Sequence, residues 1–479
     1  MSSVKKNYIF NLILTGFNIL FPVISFPYAA KILGPVGIGK VQFITSFTQY
    51  FALIAALGIP IYGVRLISQS THDTKLLHKN LGEVLYIHIV CSVLVSVAYL
   101  LTIYSFGFFA VDKSLYLMSG SIILIGFTSV DWYFSGIENF KLIAIRSVTI
   151  KAISLVLLYV FVKIKADYNI YLAITLFSIL GNNIINFYSI RKYITLSSNG
   201  ISKHFKPLLY TFGTTVATSM YTMLDTILIG FFADERSVGL YSASIKLTKI
   251  SIPLIISSAT VLMPRISKLF GAEDFESLKS ILNKSFSFIV ITAIPICIGL
   301  MFLAPELIYI FSGVQFNDAV LAMQILSPLT LIIGLGYFWG FQILIPAHKE
   351  REMLISVTIG MVFNLSLNCL MIPIFKQNGA AVANVASELI VTGSYMYFCL
   401  KVIPFNISHK PIFNNLLSCV PFIIIVIFLK TLHINSYLFI LINAVIFFAT
   451  YFFIQIKVLK NSIVKELIAE YLAKRKQHV

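Results

Sequence analysis

The chain has 479 residues, of which 58% are hydrophobic and only 11% charged, and its mean hydropathy is +0.90. Soluble domains hold roughly 45–50% apolar residues, so a water-soluble enzyme and a disordered chain are both excluded. A formal charge of +17 suggests nucleic acid until the charges are placed along the chain.

Apolar runs between polar breaks fall at about 8–30, 41–64, 81–106, 114–134, 143–163, 168–190, 207–232, 238–263, 285–304, 320–345, 353–373, 379–402, 412–429 and 435–456. Each is close to the length that crosses a bilayer core as a helix. The expectation is an all-α polytopic membrane protein of about 14 spans, since strands would show only short alternating segments. An even count puts both termini on one side. That side carries 25 Lys and Arg and the other carries 8, with Lys151, Lys246 and Lys249 inside spans. The excess of cations places both termini in the cytoplasm. The basicity is then a topology signal, and no nucleic-acid partner is expected. The first run is a full span without a small-residue cleavage pattern, so no cleavable signal is expected.

Several residues along these runs carry candidate chemistry. "KILGPVGIGK", residues 31–40, sets three glycines and a proline between Lys31 and Lys40, on the outer side and against the charge bias. Cations placed there suit an anionic head group, and the glycines suit a hinge. Arg65 and Arg265 end the second and eighth runs, as candidate ligands or as anchors reaching the interface. Asp131 ends the fourth run. Arg146 stands at the cytoplasmic mouth of the fifth, and Lys151 lies about two turns further in. Asn182, Asn183 and Asn186 mark the sixth, and Asn364, Asn368 and Asn384 mark the eleventh and twelfth, facing either a wet cavity or one another. Lys246 and Lys249 share one face of the eighth run. Lys249 is about ten residues, some 15 Å, from the outer end, too deep to reach either surface easily. Asp225 and Glu388 lie inside the seventh and twelfth runs. Ionisable groups in lipid are functional candidates, so Asp131, Asp225 and Glu388 are candidates for ion coupling, with a structural partnership to a lysine as the other reading. For Asp131 the structural reading is the stronger.

"RISKLFGAEDFESLKSILNK" (265–284) reads as an amphipathic helix lying on the bilayer surface, and the tail 457–479 has a similar pattern. "GYFWG" (336–340) has the spacing of close helix packing. The five cysteines are scattered singly, with no metal or disulfide spacing. A Walker A loop, a dinucleotide fingerprint and HExxH are all absent from the sequence, so no cofactor, metal or enzymatic activity is expected.

The chain also repeats. "SVTI" at 147–150 recurs at 356–359, and the same offset of 209 pairs Ser178 with Ser387, Tyr188 with Tyr397 and Lys192 with Lys401. At an offset of about 200, a glycine turn (Gly37; Gly239) precedes a span ending in arginine (Arg65; Arg265). The expected organisation is an N-lobe over 1–200 with six spans, a C-lobe over 201–405 with six, two appended spans over 406–460, and a cytoplasmic amphipathic tail over 461–479. Two parallel lobes around a mid-membrane cavity are a transporter plan.

"FPYAAKILGPVGIGKVQF", "LGIPIYGVR", "DWYFSGIENFKLIAIR", "MLDTILIGFFADERSVGLYSASIKL", "VLMPRIS" and "GFQILIPAHKEREMLISVTIG" resemble Wzx-type flippases. These belong to the multidrug/oligosaccharidyl-lipid/polysaccharide exporter superfamily, and the similarity runs from residue 5 to about 400. Lys31 stands where "SRxLG" segments of the family carry arginine, which keeps the charge and loses the bidentate fork. The resemblance implies two bundles, alternating access and a cationic cavity for a pyrophosphate. The expected function is transfer of undecaprenyl-pyrophosphate-linked oligosaccharide from the inner to the outer leaflet of the bacterial cell membrane, for O-antigen or capsule synthesis. Lys31, Lys40, Arg65, Arg146, Lys151, Lys246, Lys249 and Arg265 are the candidate substrate ligands, the depth of the lysines being an argument of its own. H+ or Na+ coupling, membrane lipids and a polysaccharide polymerase are the remaining partners considered. The rivals are a cation-coupled drug antiporter, which would favour an acidic cavity, and a polysaccharide polymerase or ligase, which would favour a large outer loop.

Overall fold

A computed structural model describes residues 3–402, 410–432 and 435–459, with the side chains of all of these except 3–9, 11, 214, 217–218, 220–222 and 258–261. The amphipathic tail expected over 461–479 lies outside the described residues. The helices in chain order are α1 (Ser3–Ala56), α2 (Ile59–Gln69), α3 (Thr74–Ser105), α4 (Lys113–Ser119), α5 (Ser121–Leu124), α6 (Asp131–Gly136), α7 (Phe140–Phe161), α8 (Tyr168–Ile190) and α9 (Ser202–Phe232). They continue as α10 (Glu235–Ile250), α11 (Ile252–Gly271), α12 (Phe275–Phe302), α13 (Ala304–Ser312), α14 (Val320–Leu326), α15 (Leu329–Gly336), α16 (Glu350–Val402), α17 (Lys410–Lys430) and α18 (Ser436–Phe453). A π-helical segment, Tyr337–Leu344, follows α15. No strand occurs among the described residues.

Nine of the described helices are long and apolar enough to cross a membrane, or eleven if two bent pairs each count as one span. Fewer elements are counted than the fourteen apolar runs because two of them are each long enough for two spans. At 1.5 Å per residue, α1 alone would measure about 81 Å, far more than a bilayer core of about 30 Å. It breaks at Gly34, whose φ of 69° and ψ of 180° suit a residue without Cβ. Pro35 follows, restarting a helix where a missing N–H costs nothing. α16 breaks in the same way at Lys376, with φ 49° and ψ −127°. Each of these two elements holds two of the runs read from the sequence.

The chain divides into two compact units, Met1–Gly239 and Leu240–Val479. In the first, Phe43 stacks on Phe47, and Phe109, Tyr116 and Phe231 pack around them edge to face or tilted, with centroids 5.0 Å apart for Phe109–Tyr116 and 5.3 Å for Phe43–Phe231. Beside this cluster two backbones touch. A Cβ on Gly39 would fall 1.6 Å from the Glu235 carbonyl oxygen, and one on Gly239 would fall 1.9 Å from that of Pro35. Residues 35 and 39 thus meet 235 and 239 reciprocally. The Lys40 ammonium closes over the contact, 2.8 Å from Asp112 and 3.7 Å from Glu235, with the Tyr168 ring 5.0 Å away.

At the other end of this unit Glu83 on α3 is fully buried. It accepts from Lys203 at 2.7 Å and His204 at 2.9 Å, and the second ring nitrogen of His204 lies 2.6 Å from the Tyr62 hydroxyl. The network ties α2, α3 and the start of α9 together. Its geometry fits a neutral imidazole donating from Nε2 to Glu83 and accepting at Nδ1 from Tyr62. His204 precedes the apolar run 207–232. Burial holds its pKa below the usual value, with Glu83 opposing.

In the second unit α12 packs against α11, α15 and α17, and α16 against α14, α15 and the π-helical segment. The GxxxG glycines do pack closely: a Cβ on Gly336 would meet Thr392 and one on Gly340 the Tyr395 ring, both at 3.0 Å. The surface helix expected over 265–284 is corrected. α11 runs on to Gly271, Glu273 turns the chain with φ 54°, and Asp274 caps α12 through the Ser277 N–H at 3.1 Å. Ile266 and Leu278 are buried in protein rather than laid on lipid.

These contacts generate three predictions. Glu83→Gln removes the charge from two hydrogen bonds and should lower stability by about 1.5–3 kcal/mol, read as thermal unfolding in detergent. An unfolded His protonates near pH 6.5, before the folded one, so the melting temperature should fall as pH drops below about 6.5 and should fall less in His204→Gln. Gly39→Ala and Gly239→Ala should each push the touching backbones apart. Spin labels at Val36 and Arg236, on a cysteine-free background, should then report a longer distance.

Candidate functional site

α7 begins at the Asn139 cap, whose side chain accepts from the Leu142 N–H. Its buried face runs through Ile143, Arg146, Ser147, Ile150, Ser154 and Leu158, the spacing of one helical stripe. Arg146 is the one charge on that stripe and is only 6% exposed. A guanidinium there needs counter-charge and acceptors, because lipid and protein offer it no water. Asp131, in the first turn of α6, supplies the charge, with Nη2 to Oδ1 at 2.5 Å. α8 supplies the rest from one face. Asn182 accepts from Arg146 Nε at 2.7 Å, and Asn186 donates to Asp131 at 2.7 Å.

The cluster is not saturated. Arg146 Nη1 and Asn186 Oδ1 have no hydrogen-bond partner among the described residues. Asp131 keeps half of its side chain open to the outside, while the arginine is enclosed. Arg146 also lines an open cavity of about 500 Å³, together with Asn139, Lys141, Thr149, Ile185 and Ser189. The cavity therefore holds two cations, Lys141 and Arg146, against apolar walls from α7 and α8. That combination can take an anion attached to an apolar or sugar-bearing body.

The other sequence candidates have different surroundings. Lys31 and Arg65 are exposed, with Arg65 5.8 Å from the Tyr62 ring centroid. Lys40 is held by Asp112 and Glu235 as described above. Lys151 donates to Asn18 and lies 5.7 Å from the Phe21 ring centroid. Lys246 and Lys249 are half-buried on α10, and Arg265 on α11 is exposed. Asp225 is buried in α9. Glu388, half-buried on α16, makes no ion pair or hydrogen bond among the described residues, and the Tyr395 hydroxyl is close enough to feel its charge.

Asp131 and Arg146, read separately in the sequence, are brought together, and Asn182 and Asn186 of the sixth run serve this pair. Glu83 and His204 were not singled out. Lys203 and His204 lie 120 and 121 residues from Glu83 in sequence, and with Lys79 one helical turn before it Glu83 reads as an ordinary solvated i,i+4 pair.

Among proteins of known identity, the chain is similar to a putative O-antigen transporter from Escherichia coli (strain K12), at 23% identity over 406 residues covering 83% of this chain and 96% of that protein. A putative O-antigen transporter from Shigella dysenteriae is 24% identical, over 84% of this chain and 100% of that protein. Among solved structures, the lipid II flippase MurJ in an inward closed conformation shares the fold, with a TM-score of 0.78 at 18% identity over 95% of this chain and 100% of that one. The MatE family model matches residues 211–370. The model of the polysaccharide biosynthesis protein family matches residues 4–270, more than half of this multi-pass membrane protein, and the chain belongs to that family, within the exporter superfamily its motifs resemble.

Proposed function

We propose that the protein is a flippase that carries undecaprenyl-pyrophosphate-linked oligosaccharide repeat units from the inner to the outer leaflet of the bacterial cell membrane, by alternating access. The observation that carries this reading is the Arg146 site. A buried guanidinium with one nitrogen uncommitted lines an open cavity of about 500 Å³ near the α6–α7 connection, which the positive-inside rule assigns to the cytoplasm. A pyrophosphate loading from that side meets Lys141 first and Arg146 behind it. Arg146 is suited to the task because its planar fork can hold phosphate oxygens and the Asp131 carboxylate at the same time. Lys31, Lys40, Arg65, Lys151, Lys246, Lys249 and Arg265 are the further cations offered along the path, and the two repeat halves, 1–200 and 201–405, are the moving parts.

The O-antigen transporters to which the chain is similar support a surface-polysaccharide cargo. Both termini then face the cytoplasm, and the work is transport without a covalent step. A polysaccharide polymerase is the enzyme that would consume the product outside. The drive is an ion gradient, H+ or Na+, taken up at carboxylates inside the spans: Asp225, buried in α9, and Glu388, which lacks an ion-pair partner among the described residues. Asp131 is the structural counter-charge of Arg146 in this scheme. A drug–cation antiporter would instead place an acid, not an arginine, on the cavity wall.

Two outcomes test this. Arg146→Ala should reduce transfer about ten- to a hundredfold, the size of one lost charge-assisted hydrogen bond, and Arg146→Lys should fall in between. The measurement is mass analysis of lipid-linked oligosaccharide accumulating on the cytoplasmic leaflet; normal transfer in Arg146→Ala would remove the site from the pathway. Asp225→Asn and Glu388→Gln should flatten the pH or Na+ dependence of transfer in proteoliposomes. Unchanged dependence in both would end the coupling assignment.

A further inference from the structure

The buried face of α3 follows one helical stripe: Leu81, Leu85, His88, Ser92, Ser96, Tyr99 and Ile103. Its middle is polar. His88 is 3% exposed, Ser92 is fully buried and Ser96 is 8% exposed. His88 Nδ1, Ser92 Oγ and Ser96 Oγ have no hydrogen-bond partner among the described residues. Hydroxyls elsewhere in these helices satisfy themselves by donating to the carbonyl four residues back, as Thr45, Ser154 and Ser244 do. Ser92 and Ser96 do not. Three successive layers of one helix face therefore carry buried polar atoms that no described residue satisfies.

What they face is irregular. α3 packs against α1, α5 and the turn Gly126–Thr128. That turn divides a broken span, whose halves Lys113–Leu124 and Gly126–Gly136 are bent by 41°. Gly126 lies beside Ser92, since a Cβ built there would stand 3.9 Å from Ser92 Oγ. Non-helical backbone at membrane depth persists only where protein or enclosed water can satisfy it.

We propose that the unit Met1–Gly239 encloses a file of bound water, held by His88 Nδ1, Ser92 Oγ and Ser96 Oγ against this broken span. Water fits the chemistry because it can donate to His88 and the serines and also accept from the hydroxyls. A metal cation does not fit, because α1, α5, the turn 126–128 and the α3 stripe contain no Asp or Glu to neutralise it. The file is closed, not a pore. At one end the Tyr99 hydroxyl donates to the Tyr116 carbonyl at 2.9 Å and joins Thr48 and Ser119 in a satisfied network. At the other end Leu85 and Leu81 are fully buried. Enclosed water gives the break exchangeable hydrogen bonds, so the span can change its bend without stranding a polar group.

The test is hydroxyl-radical footprinting of the purified full chain in nanodiscs, with radiolysis of water as the label source. His88 should be labelled within about tenfold of the exposed His72, and Ser92→Ala/Ser96→Ala should cut that labelling at least about threefold. Each single alanine should lower the melting temperature, because it removes a hydroxyl that holds water. Two results would overturn the proposal. One is His88 labelled no faster than the buried Phe422, together with melting temperatures that rise in the alanine variants, which means a dry seam. The other is stabilisation by NaCl over KCl that is lost in the double variant, which means a bound cation.

Discussion

A charge carried into the apolar part of this chain has to find its counter-charge within a few ångströms, since lipid supplies neither water nor ions. That constraint organises the polar interior of the unit Met1–Gly239. Arg146 is matched by Asp131, Glu83 by Lys203 and His204, and Lys40 by Asp112 and Glu235. The Glu83 and Lys40 matches link elements distant in sequence, so these ion pairs act as long-range fasteners between helices whose apolar surfaces have little preference for one neighbour over another. The three differ in how fully they are closed. Glu83 and His204 are both enclosed, as suits a structural joint, although Glu83 Oε1, like Arg146 Nη1, has no hydrogen-bond partner among the described residues; Asp131 by contrast is half open, and Arg146 lines a cavity.

That difference separates architecture from function more cleanly than charge alone. Arginine at the mouth of a span can be an interfacial anchor, and Arg65 and Arg265 are exposed as such anchors would be. Arg146 is buried and braced by Asn182 and by Asp131, which Asn186 holds in turn, and its Nη1 has no partner among the described residues. A side chain held in this way would lose little further orientation entropy to a ligand, which is what the proposed function asks of it. Under the function proposed above, an anionic head group on a lipid carrier would be the ligand that such an arrangement serves.

Much of this was legible in the sequence, and the illegible part has a consistent cause. Apolar runs and the Lys/Arg asymmetry report burial in lipid directly, residue by residue, so the helical class and the candidate charges could be read. Pairing could not. Arg146 and Asp131 were visible as separate charges 15 residues apart, yet only the packing of α6 against α7 and α8 makes them one site. Glu83 and His204 escaped because a single acid at the start of a span looks like a solvated end. Two local backbone events were also hidden. The turn at Ala272–Asp274 interrupts what reads as a continuous amphipathic period, and Lys376 breaks α16 with a residue that rarely adopts a positive φ.

The reciprocal touch of Gly39 on Glu235 and Gly239 on Pro35 has a mechanical implication. Each glycine rests on the carbonyl four residues before the other, at an offset of 200 on both counts, so the contact maps onto itself when segments 35–39 and 235–239 are exchanged. A seam of that kind has no stronger half. It is released as a whole or not at all, which lends any opening there a two-position character where a softer, side-chain-filled junction would yield by degrees.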